Sequence, residues 1–142
     1  KVALTGEPKV LAISRDGTKL AYAAADPIIR IVNLVDGKPL AELKGHAEAI
    51  TSLRYSADGT QLLSASTDKT VRVWDLATGR PRQRLEAPHG PVESLAYSPD
   101  GALLVSASSF EIPVRLWCGG VNHRTTWSVW AGSVRRRRVD AE

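Results

Sequence analysis

The sequence contains no methionine and a single cysteine, Cys118, among its 142 residues. One cysteine cannot form an internal disulfide, and it excludes a zinc site built from several cysteines. We therefore expect a protein of a reducing compartment, the cytoplasm. Because the chain has no initiator methionine and no visible secretory signal, we also expect a segment that was processed or cut from something longer.

Long apolar runs are missing as well. None approaches the roughly 20 residues that a membrane-spanning helix needs, so no membrane association of that kind is expected. The composition is 43% hydrophobic and 24% charged, which is typical of a globular protein and argues against a disordered chain. The length fits one domain of about 100–150 residues.

The net charge of +4 is unevenly distributed along the chain. Residues 1–118 contain 14 Lys and Arg against 13 Asp and Glu, whereas residues 119–142 contain 5 against 2. Four of those five are the run Arg135 to Arg138. We therefore predict a basic, disordered tail over residues 131–142. Nucleic acid or an anionic surface could bind this run by counterion release, which is the alternative function, although such a short run is more often a solvated tail.

An internal repeat with a period of 42 residues organises the chain. The motif Ser-x-Asp-Gly ends at Gly17, Gly59 and Gly101. Residues 52–66 and 94–108 are identical at ten of fifteen positions, and the first copy is more divergent.

Each period consists of short strand patterns separated by turn residues. The middle copy predicts strands over residues 50–56, 62–66, 71–75 and 82–85. No segment of about 11 or more residues has a convincing helical period. Four strands per repeat predict an antiparallel sheet that recurs along the chain, and therefore an all-β radial or solenoid array.

Three features of the middle copy carry a family resemblance: Gly45-His46, Asp68 and Trp74-Asp75. They resemble the Gly-His, turn-Asp and Trp-Asp marks of the WD-repeat family of β-propellers, and the resemblance covers roughly residues 5–118. It implies an all-β fold of four-stranded antiparallel blades around a central channel. We therefore expect a propeller segment over residues 1–118, with blades at about 5–45, 46–87 and 88–130.

The resemblance also implies a hydrogen-bonded tetrad, which maps here onto His46, Ser64, Asp68 and Trp74. Asp68 would accept a hydrogen bond from His46, while His46 and Ser64 would connect to the indole N–H of Trp74. The loss of one such buried partner would cost roughly 1–3 kcal/mol.

The outer copies depart from the tetrad pattern. The first copy keeps only Asp26, because Leu4, Tyr22 and Val32 occupy the other positions. The third keeps Ser106 and Trp117, but Phe110 replaces the Asp, His89 is displaced by one residue and Ser109–Pro113 carries a one-residue insertion. Residues 125–130 could still supply the outer strand of the third blade.

Three blades do not close a propeller, which typically needs about 4–8. The chain is therefore predicted to belong to a larger propeller or to self-associate.

The tetrad also contains the residue types of a hydrolase triad. A catalytic serine needs an exposed hydroxyl at a strained turn and an oxyanion hole, whereas Ser64 lies within a strand pattern. The three histidines, His46, His89 and His123, are too dispersed for a zinc site, and no phosphate-binding loop is present. We therefore predict no enzymatic activity, no catalytic residue, no metal and no cofactor.

What remains is recognition of a protein partner by exposed loops. The resemblance implies a non-catalytic protein-interaction scaffold whose partner binds one loop-bearing face of the propeller. The side chains expected to bind the partner are Glu48, Lys69, His89, Phe110, Glu111 and Ile112. Apolar residues in the inserted loop suggest an exposed anchor, but Phe110 could equally pack where the missing tetrad leaves room.

Overall fold

The computed structural model describes residues 2–87, 90–108, 114–118, 125–130 and 133–138, with side chains as far as residue 108. These residues form thirteen strands, and no helix occurs among them. The described part therefore also contains no helix that could cross a membrane. The predicted all-β class is confirmed.

The strands form three antiparallel sheets in chain order, named blades 1 to 3 here. Blade 1 contains β1 (Val10–Ile13), β2 (Lys19–Ala23), β3 (Ile28–Asn33) and β4 (Pro39–Lys44). Blade 2 contains β5 (Ile50–Tyr55), β6 (Gln61–Ser66), β7 (Thr70–Asp75) and β8 (Arg80–Glu86). Blade 3 contains β9 (Ser94–Tyr97), β10 (Leu103–Ala107), β11 (Val114–Cys118), β12 (Thr125–Trp130) and β13 (Ser133–Arg138). The four strands predicted for the middle copy are all present.

Blade 3 has five strands, and its outer half differs from the sequence-based expectation. Strand β12 lies where an outer strand was predicted, and β13 pairs with it antiparallel from Thr125↔Arg138 to Trp130↔Ser133. Residues 133–138 are therefore a strand rather than part of a disordered tail. Charge alone suggested a solvated tail, but the open edge of an outer strand offers unpaired backbone groups to any extended segment that follows. The remainder of the predicted tail lies outside the described residues.

The repeated Ser-x-Asp-Gly motif is a turn that closes the first hairpin of each blade. The serine hydroxyl donates to the aspartate at 2.6, 2.6 and 2.5 Å in blades 1, 2 and 3. The same carboxylate accepts the N–H two residues later at 3.0 Å in every copy. The glycines have φ of 71–72°, in the left-handed region that favours glycine. The motif thus fixes the hairpin register locally. Its residues are Ser14, Asp16 and Gly17 in blade 1, Ser56, Asp58 and Gly59 in blade 2, and Ser98, Asp100 and Gly101 in blade 3.

The core lies between the blades, which stack in chain order with β1 beside β5 and β5 beside β9. Blades 1 and 2 share a buried cluster that includes Ile29, Leu53 and Trp74. Blades 2 and 3 share a second cluster that includes Val71 and Leu95. The first strands of the blades are therefore neighbours, as in a propeller, and no ring closes among the described residues.

Candidate functional site

The site predicted from the sequence lies in blade 2, where two loops and two strands meet. The β4–β5 loop over residues 45–49 supplies His46, and the turn after β6 supplies Asp68. Ser64 lies in β6 and Trp74 in β7, both with no exposed surface. The structure therefore brings all four predicted tetrad residues together.

The tetrad forms one continuous hydrogen-bonded chain. Trp74 Nε1 donates to Ser64 Oγ at 2.8 Å, and the Ser64 hydroxyl lies 2.6 Å from His46 Nε2. His46 Nδ1 lies 2.8 Å from Asp68 Oδ2. Since the indole nitrogen can only donate, Ser64 accepts from it and turns its own proton toward His46. His46 Nε2 is then an acceptor, and Nδ1–H donates to Asp68.

This proton arrangement requires a neutral imidazole. Burial lowers the pKa of His46 most strongly; the Asp68 carboxylate opposes that effect, while the cations of Arg72 and Arg84 add to it. Burial alone would raise the pKa of Asp68, but hydrogen bonds from Thr70, His46 and the Ala47 N–H outweigh it and lower the pKa to about 2. At neutral pH the site is a neutral histidine held by an ionised aspartate.

Asp68 also joins the two loops of the site. Its Oδ2 accepts the backbone N–H of Ala47 at 3.0 Å, and its Oδ1 accepts the Thr70 hydroxyl at 2.6 Å. The Thr67 N–H donates to the Ala49 carbonyl at 3.1 Å. Sequence reasoning missed Thr70, whose only signal was its place two residues after the turn aspartate. The loops at 45–49 and 67–69 thus behave as one unit.

Gly45 lies at a closely packed position, where a larger residue would force its neighbours to shift. A Cβ at this position would lie 3.0 Å from Arg72 Nη1 and 3.1 Å from Trp74 Cη2. The indole ring is itself fixed by its bond to Ser64. The Gly-His pair of the sequence is therefore explained by space for the glycine and by hydrogen bonding for the histidine.

In blade 1 an ion pair with an arginine binds the turn aspartate, where blade 2 uses a histidine. Blade 1 has no histidine, and Asp26 instead accepts two hydrogen bonds from the Arg30 guanidinium, at 2.6 and 2.9 Å. Glu42 lies 3.7 Å from the same guanidinium. In blade 2 the equivalent arginine is Arg72, whose buried Nε has no hydrogen-bond partner among the described residues.

Two of the six predicted partner-binding residues lie within the described residues. Glu48 and Lys69 are both exposed, on the two loops that Asp68 joins. Lys69 has φ of 67° in the tight turn between β6 and β7, the left-handed region that is uncommon for a residue with a side chain. The other four fall outside the described residues, and they are His89, Phe110, Glu111 and Ile112.

The tetrad does not have the geometry of a hydrolase. The Ser64 hydroxyl is completely buried, accepts from Trp74 and faces His46, so no path leads from solvent to it. Within the described ranges, no three His, Cys, Asp or Glu side chains are grouped closely enough to hold a metal.

The blades and the tetrad define a class of protein, the β-propellers built from four-stranded repeats. The family model described as WD domain, G-beta repeat matches residues 37–75 and 79–111. The chain belongs to this family, whose propellers are generally non-catalytic and serve as protein-interaction scaffolds. A comparison with curated protein sequences found no match.

A solved structure supports the fold. The β-propeller domain of Cps50 (Swd1) from Myceliophteria thermophila matches with a TM-score of 0.75 and 23% sequence identity. The match covers 97% of this chain and 41% of the other. The chain therefore has the fold of a WD-repeat propeller and spans about two fifths of that relative's length.

Proposed function

We propose that the chain is a non-catalytic scaffold whose protein partner binds the loop face over Asp68. The observation that carries the proposal is the joining of two loops by the Asp68 carboxylate, which leaves Glu48 and Lys69 exposed on a fixed backbone. A surface that is ordered before binding loses less conformational entropy when a partner docks. The face therefore suits recognition of a protein segment by charge and shape.

Charge reversal tests this face. Proteins cross-linked to or captured by the 142-residue chain are quantified for the wild type and for Glu48→Lys/Lys69→Glu. Because the two side chains carry opposite charges, the double reversal keeps the net charge of the chain and inverts only its local pattern. We expect a subset of partners to be lost.

Asp36 and Lys38 provide the matched control, since they form another exposed pair, 3.5 Å apart, in the turn before β4. The variant Asp36→Lys/Lys38→Asp is expected to retain those partners. Equal capture by the wild type and both variants would contradict the proposed face, as would equal losses in both variants.

The alternative function is association with nucleic acid or an anionic surface through Arg135 to Arg138. Its test is deletion of residues 131–142, which should abolish a steeply salt-dependent affinity if the arginine run carries it. Partner binding at the loop face should survive the same deletion. The proposed scaffold and the tail are thereby separated in one pair of measurements.

A further inference from the structure

Strand β8 forms the open outer edge of blade 2, in the sheet order β5-β6-β7-β8. Three arginines lie along it, Arg80, Arg82 and Arg84, and all three are exposed. A register shift against β7 leaves Arg82 without a register partner and puts Arg80 and Arg84 on opposite faces of the strand. The one carboxylate on the strand is Glu86, 3.3 Å from Arg84. The edge is therefore strongly basic.

The equivalent edge of blade 1, strand β4, has different residues at the positions of these arginines. Counting back 42 residues places Leu40 and Glu42 of β4 at the positions of Arg82 and Arg84. In blade 1, Glu42 lies opposite Arg30 in the strand register and 3.7 Å from its guanidinium. In blade 2 the corresponding cross-strand pair is Arg84 and Arg72, two cations.

Arg72 thus lacks both carboxylates that its counterpart Arg30 has. The turn aspartate of blade 2, Asp68, is engaged by His46, Thr70 and Ala47 instead. A partly buried guanidinium without a carboxylate is a strong donor of charge-assisted hydrogen bonds to an anion. The position of the Glu42 carboxylate in blade 1 marks where that anion would lie in blade 2.

The backbone of β8 favours an extended peptide as the source of the anion. Ala87 N–H donates toward β7, to the Lys69 carbonyl, at 2.7 Å. Because inward and outward groups alternate along an antiparallel strand, the N–H and C=O of Arg84 point to the open edge. Pro81 limits pairing at the start of the strand, since it has no N–H.

Blade 3 provides the precedent for an added strand. Its outer strand β12 pairs along its outer edge with β13 over six residues. The outer strand of a blade in this chain is therefore geometrically able to accept a fifth strand. The basic sequence of β13 would repel β8, so an acidic segment is the complementary one.

We propose that β8 binds an extended acidic segment of another protein by strand addition, with one of its carboxylates between Arg84 and Arg72. Arg84 would face a carboxylate of the added strand beside Arg72, whereas Arg80 lies across the register shift on the other face of β8 and adds only to the positive charge of the edge. Main-chain pairing would supply affinity, and the arginines would select acidic sequences. This surface is distinct from the loop face proposed above.

The test measures binding of a fluorescent peptide of alternating Glu and Val, eight residues long, to the 142-residue chain by anisotropy. Arg84→Glu is expected to weaken binding at least about tenfold, because it restores the blade 1 arrangement and repels the peptide. The same variant should also raise the melting temperature, since its carboxylate would pair with Arg72. Lys44→Gln on β4 is the matched control and should leave binding unchanged.

Two further probes separate strand addition from charge attraction and from nucleic-acid binding. A peptide with alternate amides N-methylated keeps its charge but loses the donors for pairing, and it should bind at least about tenfold more weakly. Equal binding of the methylated peptide, no effect of Arg84→Glu, or tighter Arg84-dependent binding of an octauridine oligonucleotide would each overturn the proposal.

Discussion

At the scale of single residues, hydrogen-bond donors decide the state of the buried tetrad. The Trp74 indole can only donate, so Ser64 must accept, and this leaves His46 Nε2 to receive the serine proton. A protonated His46 would leave the Ser64 hydroxyl hydrogen without an acceptor in a fully buried position. The tetrad therefore favours neutral histidine, and its stability should depend on pH.

Protonation of His46 should couple the folding of the chain to pH. Burial holds the pKa of His46 below its usual value of 6.5 in the folded chain. As the pH falls below 6.5, the unfolded chain binds a proton that the folded chain resists, so the free energy of unfolding should decrease. The stabilising contribution is fully present above 6.5.

Urea denaturation between pH 7.5 and 5 measures this effect. The decrease should be smaller in His46→Gln, which has no group that titrates in this window. Because this variant keeps His89 and His123, its remaining pH dependence shows how much those two histidines contribute. The same slope in both proteins would show that His46 does not couple folding to pH.

At the scale of elements, the three blades use one turn but different buried contacts. The Ser-x-Asp-Gly turn is the same in every blade, whereas only blade 2 has the complete tetrad among the described residues. Blade 1 has instead an ion pair between Asp26 and Arg30, in which the Asp26 carboxylate is partly exposed. A partly exposed ion pair contributes less than a fully buried hydrogen-bonded network.

We therefore expect blade 1 to open more readily than blade 2. Backbone amides of β2 should exchange hydrogen at least about tenfold faster than those 42 residues later in β6, after correction for intrinsic rates. Hydrogen exchange followed by mass spectrometry or NMR gives the comparison directly. Equal or slower exchange in β2 would mean that the tetrad does not determine local stability.

The hairpins could be predicted from the sequence because their determinants are local. Turn glycines, alternating strands and the 42-residue period predicted every strand of blade 2. The Asp26–Arg30 pair and Thr70 were missed although their partners lie within four residues, because the turn geometry and not the residue type decides which side chains meet. Strand β13 was missed because its arginine run suggested a solvated tail. The aspartate of blade 1 was recognised from the repeat, but the sequence did not reveal that it binds an arginine in place of a histidine.

At the scale of the whole molecule, each blade depends on the blade before it for burial. Leu11, Leu53 and Leu95 are equivalent, 42 residues apart on the first strands. Leu53 and Leu95 are 0% and 1% exposed, whereas Leu11 is 53% exposed. The same residue in the same strand is therefore core or surface according to its neighbour.

This order of stacking predicts different costs for one substitution. Leu53→Ala should lower the free energy of unfolding by about 2–5 kcal/mol, because it creates a cavity between blades 1 and 2. Leu11→Ala should cost under about 1 kcal/mol, because solvent already reaches that side chain. Denaturant titration of both variants is the measurement. Equal costs would contradict the stacking of blade 2 on blade 1.

We propose that the tetrad of His46, Ser64, Asp68 and Trp74 stabilises the blade and catalyses no reaction. The most direct test is Ser64→Ala, with unfolding free energy and hydrolysis of a generic ester both measured. The substitution leaves the Trp74 N–H and His46 without their partner, so we predict a loss of about 1–3 kcal/mol and no change in hydrolysis. Combining it with Trp74→Phe should cost less than the sum of the single variants, because both break the same bond. Unchanged stability together with loss of a hydrolytic activity would contradict the account.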